Sequence, residues 1–211
     1  MATVSRPLAY IFCTLALCAA GLSAAQDKDR TAAAIEQYRQ MLADGNPAEL
    51  YELRGEELWK TKRGPKNASL EQCDLGLGPG KIKGAYTQLP RYFPDTDRVE
   101  DLESRLVTCM VQLQGFDREE VTKKPFGSAS YQSDLEALVA YVVSQSRGMK
   151  MAVPQEHPKE REAYQLGREI FFYRAGPYDF ACATCHSEDG KRIRLQDLPN
   201  LTQKKGAQFA Y

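Results

Sequence analysis

The stretch FACATCHSED, near the end of the chain, holds the residues whose types and spacing most directly suggest chemistry. Cys182, Cys185 and His186 form a C-x-x-C-H motif, the attachment sequence for covalently bound c-type haem. The two cysteines add across the vinyl groups of the porphyrin, and the adjacent histidine lies under the iron. The motif therefore predicts one covalent haem c, with Cys182 and Cys185 as thioether residues and His186 as an axial iron ligand.

The first 25 residues have the pattern of a secretory signal peptide. A single Arg6 precedes the apolar run 8–22, and the small residues 23–25 precede Gln26. The run is too short to be a membrane span in front of a polar body, although an N-terminal membrane anchor is the alternative interpretation. No other segment is apolar enough to cross a bilayer. We therefore expect an exported chain with no membrane span once the signal is removed.

Export and the adjoining histidine favour haem over the two other sites that use this cysteine spacing. A redox-active C-x-x-C pair is one alternative, and a zinc knuckle is the other. Zinc needs two more ligands nearby, which the residues after His186 do not supply. Lys191, Arg192 and Arg194 follow the motif and either face haem propionates or an anionic substrate, or are ordinary solvated charges. The second interpretation of these basic residues is favoured.

Composition restricts the class of protein only loosely. The chain has 211 residues, with 28 Lys and Arg against 28 Asp and Glu, and 43% of its residues are hydrophobic. These values indicate a globular protein of one or two domains. Because no basic run is present, nucleic acid is not an expected partner.

The remaining cysteines of the exported chain predict a disulfide. If Cys182 and Cys185 hold haem, Cys73 and Cys109 are left as a pair, and such a pair is expected to be bridged in an oxidising compartment. The chain-entropy model gives the bridge a contribution of about 3–4 kcal/mol to stability. Two free thiols are the alternative.

The chain contains an internal repeat. Aligning Gly55 with Gly167, an offset of 112 residues, matches two segments without a gap. The matched positions are Glu57 with Glu169, Leu58 with Ile170, Trp59 with Phe171, Gly64-Pro65 with Gly176-Pro177, and Cys73 with Cys185. Chance similarity between two amphipathic helices is the alternative to a true repeat.

The mismatches within the repeat concern the haem motif itself. Leu70 stands in the position of Cys182, and Asp74 stands in the position of His186. The first copy therefore lacks one thioether cysteine and the iron ligand. We expect it to be a haem domain that no longer binds haem.

Periodicity predicts an all-α fold with two cytochrome c-like domains, the first degenerate and without haem, the second haem-binding and incomplete. The helices are expected at residues 31–43, 48–60, 97–111 and 130–148, with a further helix from Arg161. The predicted organisation is a signal peptide at 1–25, a degenerate domain at 26–147, a linker at 148–160 and the haem-binding domain at 161–211.

Three residues of the predicted linker 148–160 are side chains of types that can ligate haem iron. His157 is interpreted as a solvated linker residue, and Met149 and Met151 as packing residues, in preference to iron ligands. The helix after the linker is expected to pack through a face made of Tyr164, Gly167, Ile170 and Phe171.

The sequence predicts that the second domain continues past Tyr211. No Met, His or Cys follows His186, so the chain offers no distal ligand there. Carrying Cys109 across at the repeat offset places its counterpart near position 220. The expectation is a truncated sequence whose distal ligand is a cysteine beyond Tyr211.

Taken together, these features resemble a known family, the SoxA subunits of SoxAX cytochromes in their monohaem form. The phrases GEELWKTKRGP, QLPRYFPDTDRVEDLESRLVTCM and GREIFFYRAGPYDFACATCH are similar to that family's, and the similarity runs from about residue 31 to 211. Diheme members have a second C-x-x-C-H where this chain has Leu70, Cys73 and Asp74. The resemblance thus implies the form in which a disulfide replaces that haem.

The resemblance also implies a function. It implies an L-cysteine S-thiosulfotransferase of the periplasm, whose SoxA and SoxX subunits join thiosulfate to a cysteine of the carrier SoxYZ and pass electrons to cytochrome c. The modified cysteine that performs the sulfur chemistry in the family would lie beyond Tyr211, so the fragment itself is expected to be inactive. A plain periplasmic electron-transfer cytochrome and a haem-bearing structural or sensing subunit are the alternatives.

Overall fold

A computed structural model of the chain describes residues 33–34, 37–38, 40–41, 46, 48–127, 133–194, 196–203 and 210. The elements in chain order are α1 (Ala48–Lys60), a 3-10 helix (Tyr86–Gln88), β1 (Arg91–Phe93), β2 (Arg98–Glu100), α2 (Leu102–Cys109), a π-helical turn (Met110–Gln114), α3 (Arg118–Thr122), α4 (Asp134–Ser144), α5 (Pro158–Phe172), α6 (Cys182–His186), β3 (Arg192–Ile193) and β4 (Gln196–Asp197).

The N-terminal part of the chain is described only in pieces. The predicted signal peptide lies outside the described residues, and the described positions of the predicted helix 31–43 are helical. Among the helices that can be described, none is long and apolar enough to cross a membrane. Residues 47–211 form one compact unit, which contains every element labelled above.

The core of this unit is built on the crossing of α1 and α4. Helix α1 has the predicted bounds and turns Gly55 and Trp59, four residues apart, toward α4. A Cβ atom at position 55 would lie 2.0 Å from the carbonyl oxygen of Ala137, so only glycine permits this approach. Trp59 then packs against Tyr141 with ring centroids 6.4 Å apart. Residue size at one position thus sets the distance between the helices.

Helix α2 and a disulfide complete the core. The predicted stripe of α2 and its continuation is buried, and it consists of Leu102, Leu106, Val107 and Met110. Cys109 ends α2 and is bonded to Cys73, with the two Cα atoms 5.6 Å apart, which confirms the predicted pairing. Both cysteines are buried within the apolar cluster. The bridge therefore joins α2 to the loop that follows α1.

The expectation of an all-α fold is correct for most of the chain but misses two small hairpins. In β1 and β2, Tyr92 pairs with Val99 in an antiparallel register, and β3 pairs with β4 in the same way. The prediction of one helix over residues 97–111 is therefore wrong at its start. Asp101 caps α2 by accepting a hydrogen bond from the backbone N–H of Ser104, so the helix cannot extend further back.

A buried cation holds the first hairpin against α2. Arg105 is buried and pairs with Asp95 at 2.9 Å and with buried Glu100 at 3.4 Å. Its guanidinium carbon lies 3.9 Å from the centre of the Phe93 ring. A buried carboxylate needs a cationic partner. The strand conformation at residues 98–100 places Glu100 beside Arg105 and so supplies that partner.

The predicted repeat recurs in the backbone of the loop that precedes each cysteine motif. Arg63 forms an isolated antiparallel bridge with Ala68, and Ala175 forms one with Phe180, at the same offset of 112. Two further pairs share a positive φ at that offset, namely Gly64 with Gly176 (69° and 77°) and Asn67 with Asp179 (45° and 50°). Identical turns at repeat-related positions support a common origin for the two segments.

The two repeat-related glycines give a matched test of the helix crossing. We predict that Gly55→Ala lowers the free energy of unfolding by at least about 1–3 kcal/mol, because the added methyl group meets backbone atoms of α4. Gly167→Ala, whose Cβ meets nothing within 4 Å, should raise it by about 0.5–1 kcal/mol through helix propensity. Urea unfolding of both variants of the 211-residue chain measures the difference. Equal effects would contradict the proposed role of Gly55.

Candidate haem site

The motif cysteines lie on a single short helix. Helix α6 begins at Cys182, and the backbone N–H of Ala181 donates to the Thr184 hydroxyl at 3.0 Å, which closes the turn. Cys182 and Cys185 are three residues apart on that turn, so both sulfurs lie on one side of it. Both are free thiols, the first exposed and the second partly exposed. This arrangement presents two nucleophilic sulfurs to one edge of a planar group.

The imidazole of His186 is held by the loop that follows β4. Its Nδ1 lies 3.0 Å from the carbonyl oxygen of Pro199, and the backbone N–H of Leu201 donates to the His186 carbonyl at 2.8 Å. Because a carbonyl only accepts, Nδ1 must bear the proton, and the lone pair is then on Nε2. A histidine fixed in this tautomer is prepared to ligate a metal through Nε2.

The basic residues after the motif are engaged with neighbouring carboxylates. Lys191 pairs with Glu188 at 3.0 Å, and Arg192 pairs with Asp197 across the β3–β4 hairpin at 2.9 Å. Arg194 occupies the hairpin turn with φ of 56°. All of these pairs are exposed, so they contribute little to stability. The preferred interpretation of these residues as solvated charges agrees with the structure.

Residues 161–211 present an exposed apolar surface. Large hydrophobic side chains of residues 161–211 are exposed to solvent, and they are Tyr164, Leu166, Ile170, Phe172, Tyr173, Tyr178, Phe180, Ile193 and Leu201. Some of them line a cleft of about 660 Å³ that also includes Gly167 and Phe171. Exposed apolar area of this extent marks a ligand site or an interface. The described lining of this cleft includes no residue of the C-x-x-C-H motif, so the fit of the site to haem rests on the two thiols and the histidine of α6.

The predicted packing face of α5 is only partly assembled within the described residues. Tyr164, Gly167 and Phe171 line the cleft, whereas Ile170 is exposed and does not contribute to it. In the first copy, the equivalent face at Gly55 and Trp59 is covered by α4. The repeat thus pairs a covered face with an exposed one.

Sequence reasoning misplaced His157. It is not a solvated linker residue but the N-cap of α5, whose Nδ1 accepts from the backbone N–H of Lys159 at 3.2 Å. Its ring stacks on Tyr92 of β1, with centroids 3.7 Å apart and planes 5° from parallel. Pro158 at the first helical position was the signal that could have placed the helix start here, inside the predicted linker.

Glu160 is a second residue that sequence reasoning missed. It is buried, and its carboxylate accepts from the backbone N–H of Tyr92 at 2.8 Å and of His157 at 3.0 Å. Burial alone would raise the pKa of this carboxyl, but those hydrogen bonds, together with the Arg91 charge, hold the pKa below its ordinary value. One carboxylate therefore joins the first turn of α5 to strand β1.

Met149, another candidate ligand of the predicted linker, makes packing contacts. The side chain of Met149 reaches Gly84, where a Cβ would approach its Cε to 3.0 Å, and the Met149 carbonyl accepts from Ala210 N–H at 2.9 Å. The preferred role of Met149 in packing is consistent with these contacts.

A zinc knuckle requires several ligands in one place, and within the described parts of the chain no three His, Cys, Asp or Glu residues form such a group.

Parts of this chain are similar to known proteins. The family model "SoxA/TsdA, cytochrome c domain" matches residues 54–151. This range contains Leu70, Cys73 and Asp74, and it ends before the C-x-x-C-H motif. The half of the chain without a complete haem motif is therefore the half that the cytochrome c domain model matches.

Relatives match a larger part of the chain. The L-cysteine S-thiosulfotransferase subunit SoxA of Hydrogenophilus thermoluteolus is 55% identical over 199 residues, which are 93% of this chain and 72% of that protein. The subunit of the same name from Hydrogenobacter thermophilus is 36% identical over 162 residues, which are 76% of this chain and 58% of that protein. The chain thus spans between about half and three quarters of the length of these relatives.

A solved structure shares the fold. The structure titled "Crystal structure of SoxXA from P. pantotrophus" matches with a TM-score of 0.58 at 24% identity, covering 78% of this chain and 61% of that chain.

The buried carboxylate of Glu160 should give the protein a specific acid sensitivity. Its pKa in the folded state lies below the ordinary value of 4.5, so its stabilisation is complete above pH 4.5 and is lost as the pH falls through the lowered value. We predict that Glu160→Gln costs about 1.5–3 kcal/mol at neutral pH, because the amide turns one donor toward a backbone donor. The variant should also lose less stability than the wild type between neutral pH and about pH 3.

Glu162→Gln, an exposed substitution on the same helix, is the matched control and should change neither quantity. Urea unfolding across the pH range measures all three proteins. A wild type and a Glu160→Gln variant with parallel acid profiles would contradict the role assigned to this carboxylate.

Proposed function

Because the chain belongs to the SoxA family of L-cysteine S-thiosulfotransferase subunits, we propose that it is the haem-bearing subunit of a thiosulfate-oxidising complex. The family is one of c-type cytochromes, so its cofactor is haem c. The observation that carries the proposal for this chain is the arrangement around α6. Two thiols lie on one helical turn beside a histidine whose Nδ1 is held by Pro199.

The residues of the second copy have separate roles in this proposal. Cys182 and Cys185 form thioether bonds to one haem, and His186 ligates its iron through Nε2. The exposed apolar side chains of residues 161–211, Phe172 and Leu201 among them, would shield a bound porphyrin from water, which is the condition under which a protein tunes a haem potential. The haem, when bound, supplies one-electron redox chemistry.

The proposed reaction is an oxidative conjugation. A sulfur–sulfur bond forms between a carrier-protein cysteine and the outer sulfur of thiosulfate, and the cysteine S–H bond breaks. One proton is released, and two electrons leave for cytochrome c, one at a time. The proposed partners are a SoxX subunit, a SoxYZ carrier and cytochrome c, with thiosulfate as substrate and the periplasm as location. No residue of this chain is assigned to the sulfur chemistry.

The first copy is proposed to be a degenerate haem domain within the predicted range 26–147. The predicted linker 148–160 is proposed to end at His157, because α5 begins at Pro158, and the haem-binding domain then runs from Pro158 to the predicted end at residue 211. Leu70 and Cys73 are completely buried in the apolar core. Asp74, in the position equivalent to His186, accepts hydrogen bonds from Gly76 and Gly78 at 2.7 and 2.9 Å. A residue that closes its own loop in this way supports a domain without haem iron.

Haem attachment is tested first. We predict that the chain, produced with a cytochrome c maturation system, gains the mass of one haem. Cys182→Ala with Cys185→Ala should gain none, since both thioether bonds are lost. Cys73→Ala with Cys109→Ala is the matched control: it should keep its haem and lose about 3–4 kcal/mol of stability, as expected for a buried disulfide. Two haems, or none, in the wild type would refute the assignment.

The activity is tested in the assembled complex. The chain is combined with a SoxX subunit, a SoxYZ carrier and oxidised cytochrome c, and mass spectrometry follows the carrier cysteine after thiosulfate is added. The same assay is run on the native complex, purified from cells that express the native gene. A thiosulfonate adduct formed by the native complex and lost in its His186→Ala variant supports the proposal. Cytochrome c reduction by other donors without any adduct would assign the chain to plain electron transfer.

A further inference from the structure

We propose that Asn200 is a positioning residue for His186, setting the orientation of its imidazole and the strength of the hydrogen bond at Nδ1. This inference rests on the proposed haem site and goes beyond it, because Asn200 belongs to no part of the C-x-x-C-H motif. Asn200 is proposed to act on the haem through His186.

The position of Asn200 in the chain supports this role. It lies between the two residues that contact His186, namely Pro199, whose carbonyl oxygen is 3.0 Å from Nδ1, and Leu201, whose N–H donates to the His186 carbonyl at 2.8 Å. Asn200 itself is 6% exposed, although its side chain is polar. A buried amide in a short loop needs partners, and each partner restricts the loop.

The side chain of Asn200 makes three hydrogen bonds. Its Nδ2 donates to the Asp189 carboxylate at 3.1 Å. Its Oδ1 accepts from the backbone N–H of Thr202 at 3.0 Å and from the Thr202 hydroxyl at 2.6 Å. Asp189 is three residues beyond His186, so a single amide joins the segment that leaves α6 to the loop that returns to the histidine.

The consequence for the haem follows from the chemistry of the imidazole. A hydrogen bond from Nδ1–H to a fixed carbonyl raises the electron density at Nε2 and makes it a stronger ligand, which favours ferric over ferrous iron. If the loop relaxes, this bond lengthens and the ferric state loses part of its stabilisation. Loss of the Asn200 side chain should therefore raise the midpoint potential.

The test uses the haem-loaded 211-residue chain and potentiometric titration. Asn200→Ala should shift the one-electron redox equilibrium toward the ferrous state by threefold to tenfold, which is about 30–59 mV. Thr202→Val, which removes one of the three bonds, should shift it less in the same direction. Gln203→Ala, an exposed neighbour in the same loop, should leave the potential unchanged. Nitrogen NMR of the His186 ring should report a weaker Nδ1 hydrogen bond in the same order.

The outcomes separate the inference from the function on which it rests. A wild-type chain that binds no haem would overturn both. A haem-loaded Asn200→Ala variant with lower stability but unchanged potential and ring spectrum would overturn the inference alone, since the residue would then be merely structural. If Asn200→Ala yields no haem protein, Thr202→Val decides: a potential equal to that of Gln203→Ala overturns the inference, and a raised potential supports it.

Discussion

The close approach of α1 and α4 at Gly55 is the constraint on which the rest of the structure depends. A side chain at that position would overlap the backbone of Ala137, so the crossing exists only because position 55 has no Cβ. The crossing brings Trp59 against Tyr141 and leaves room for the buried stripe of α2. The disulfide joins Cys109, the last residue of α2, to Cys73 within this core. Packing and covalent linkage thus act on the same small volume.

The two copies of the repeat differ in their side chains at the position of the haem motif. In the first copy, Leu70 and Cys73 are fully buried in the apolar core, and Asp74 closes a glycine-rich loop. In the second copy, the equivalent positions are the reactive residues of C-x-x-C-H, and large apolar side chains of residues 161–211 are exposed. Identical turns before each motif show that the local backbone did not have to change. The difference between a domain with a haem motif and one without it therefore lies in a few side chains.

The sequence predicted those parts of the structure that depend on local pattern. The bounds of α1, the buried stripe of α2 and the Cys73–Cys109 pair follow from periodicity and from counting cysteines. It failed where a distant partner decides. Glu100 is extended because Arg105 neutralises it, and His157 is a cap because Tyr92 offers a ring on which to stack. Neither partner can be identified from the sequence next to the residue that it contacts.

The same distinction applies to the candidate site. The motif identified Cys182, Cys185 and His186, but not the residues that hold them in place. The sequence around Asn200 predicts a surface loop, and the sequence around Glu160 predicts the first turn of a helix. Both polar residues are nevertheless buried, because each contacts a segment that is distant in the sequence. Their hydrogen bonds are the part of the site that only three-dimensional structure supplies.

The arrangement of the cysteines also bears on how the chain avoids incorrect bonds. The four cysteines outside the predicted signal peptide can pair in more than one way in an oxidising compartment, which is the location proposed for this chain. Exchange between pairs requires a thiolate to reach a sulfur of an existing bridge. The bridge between Cys73 and Cys109 is buried in the apolar core, whereas Cys182 lies at the surface. Once the first copy has folded, its disulfide is therefore protected from attack by the thiols of the second. Those thiols stay accessible for attachment to a porphyrin, and the burial that stabilises one copy preserves the reactivity of the other.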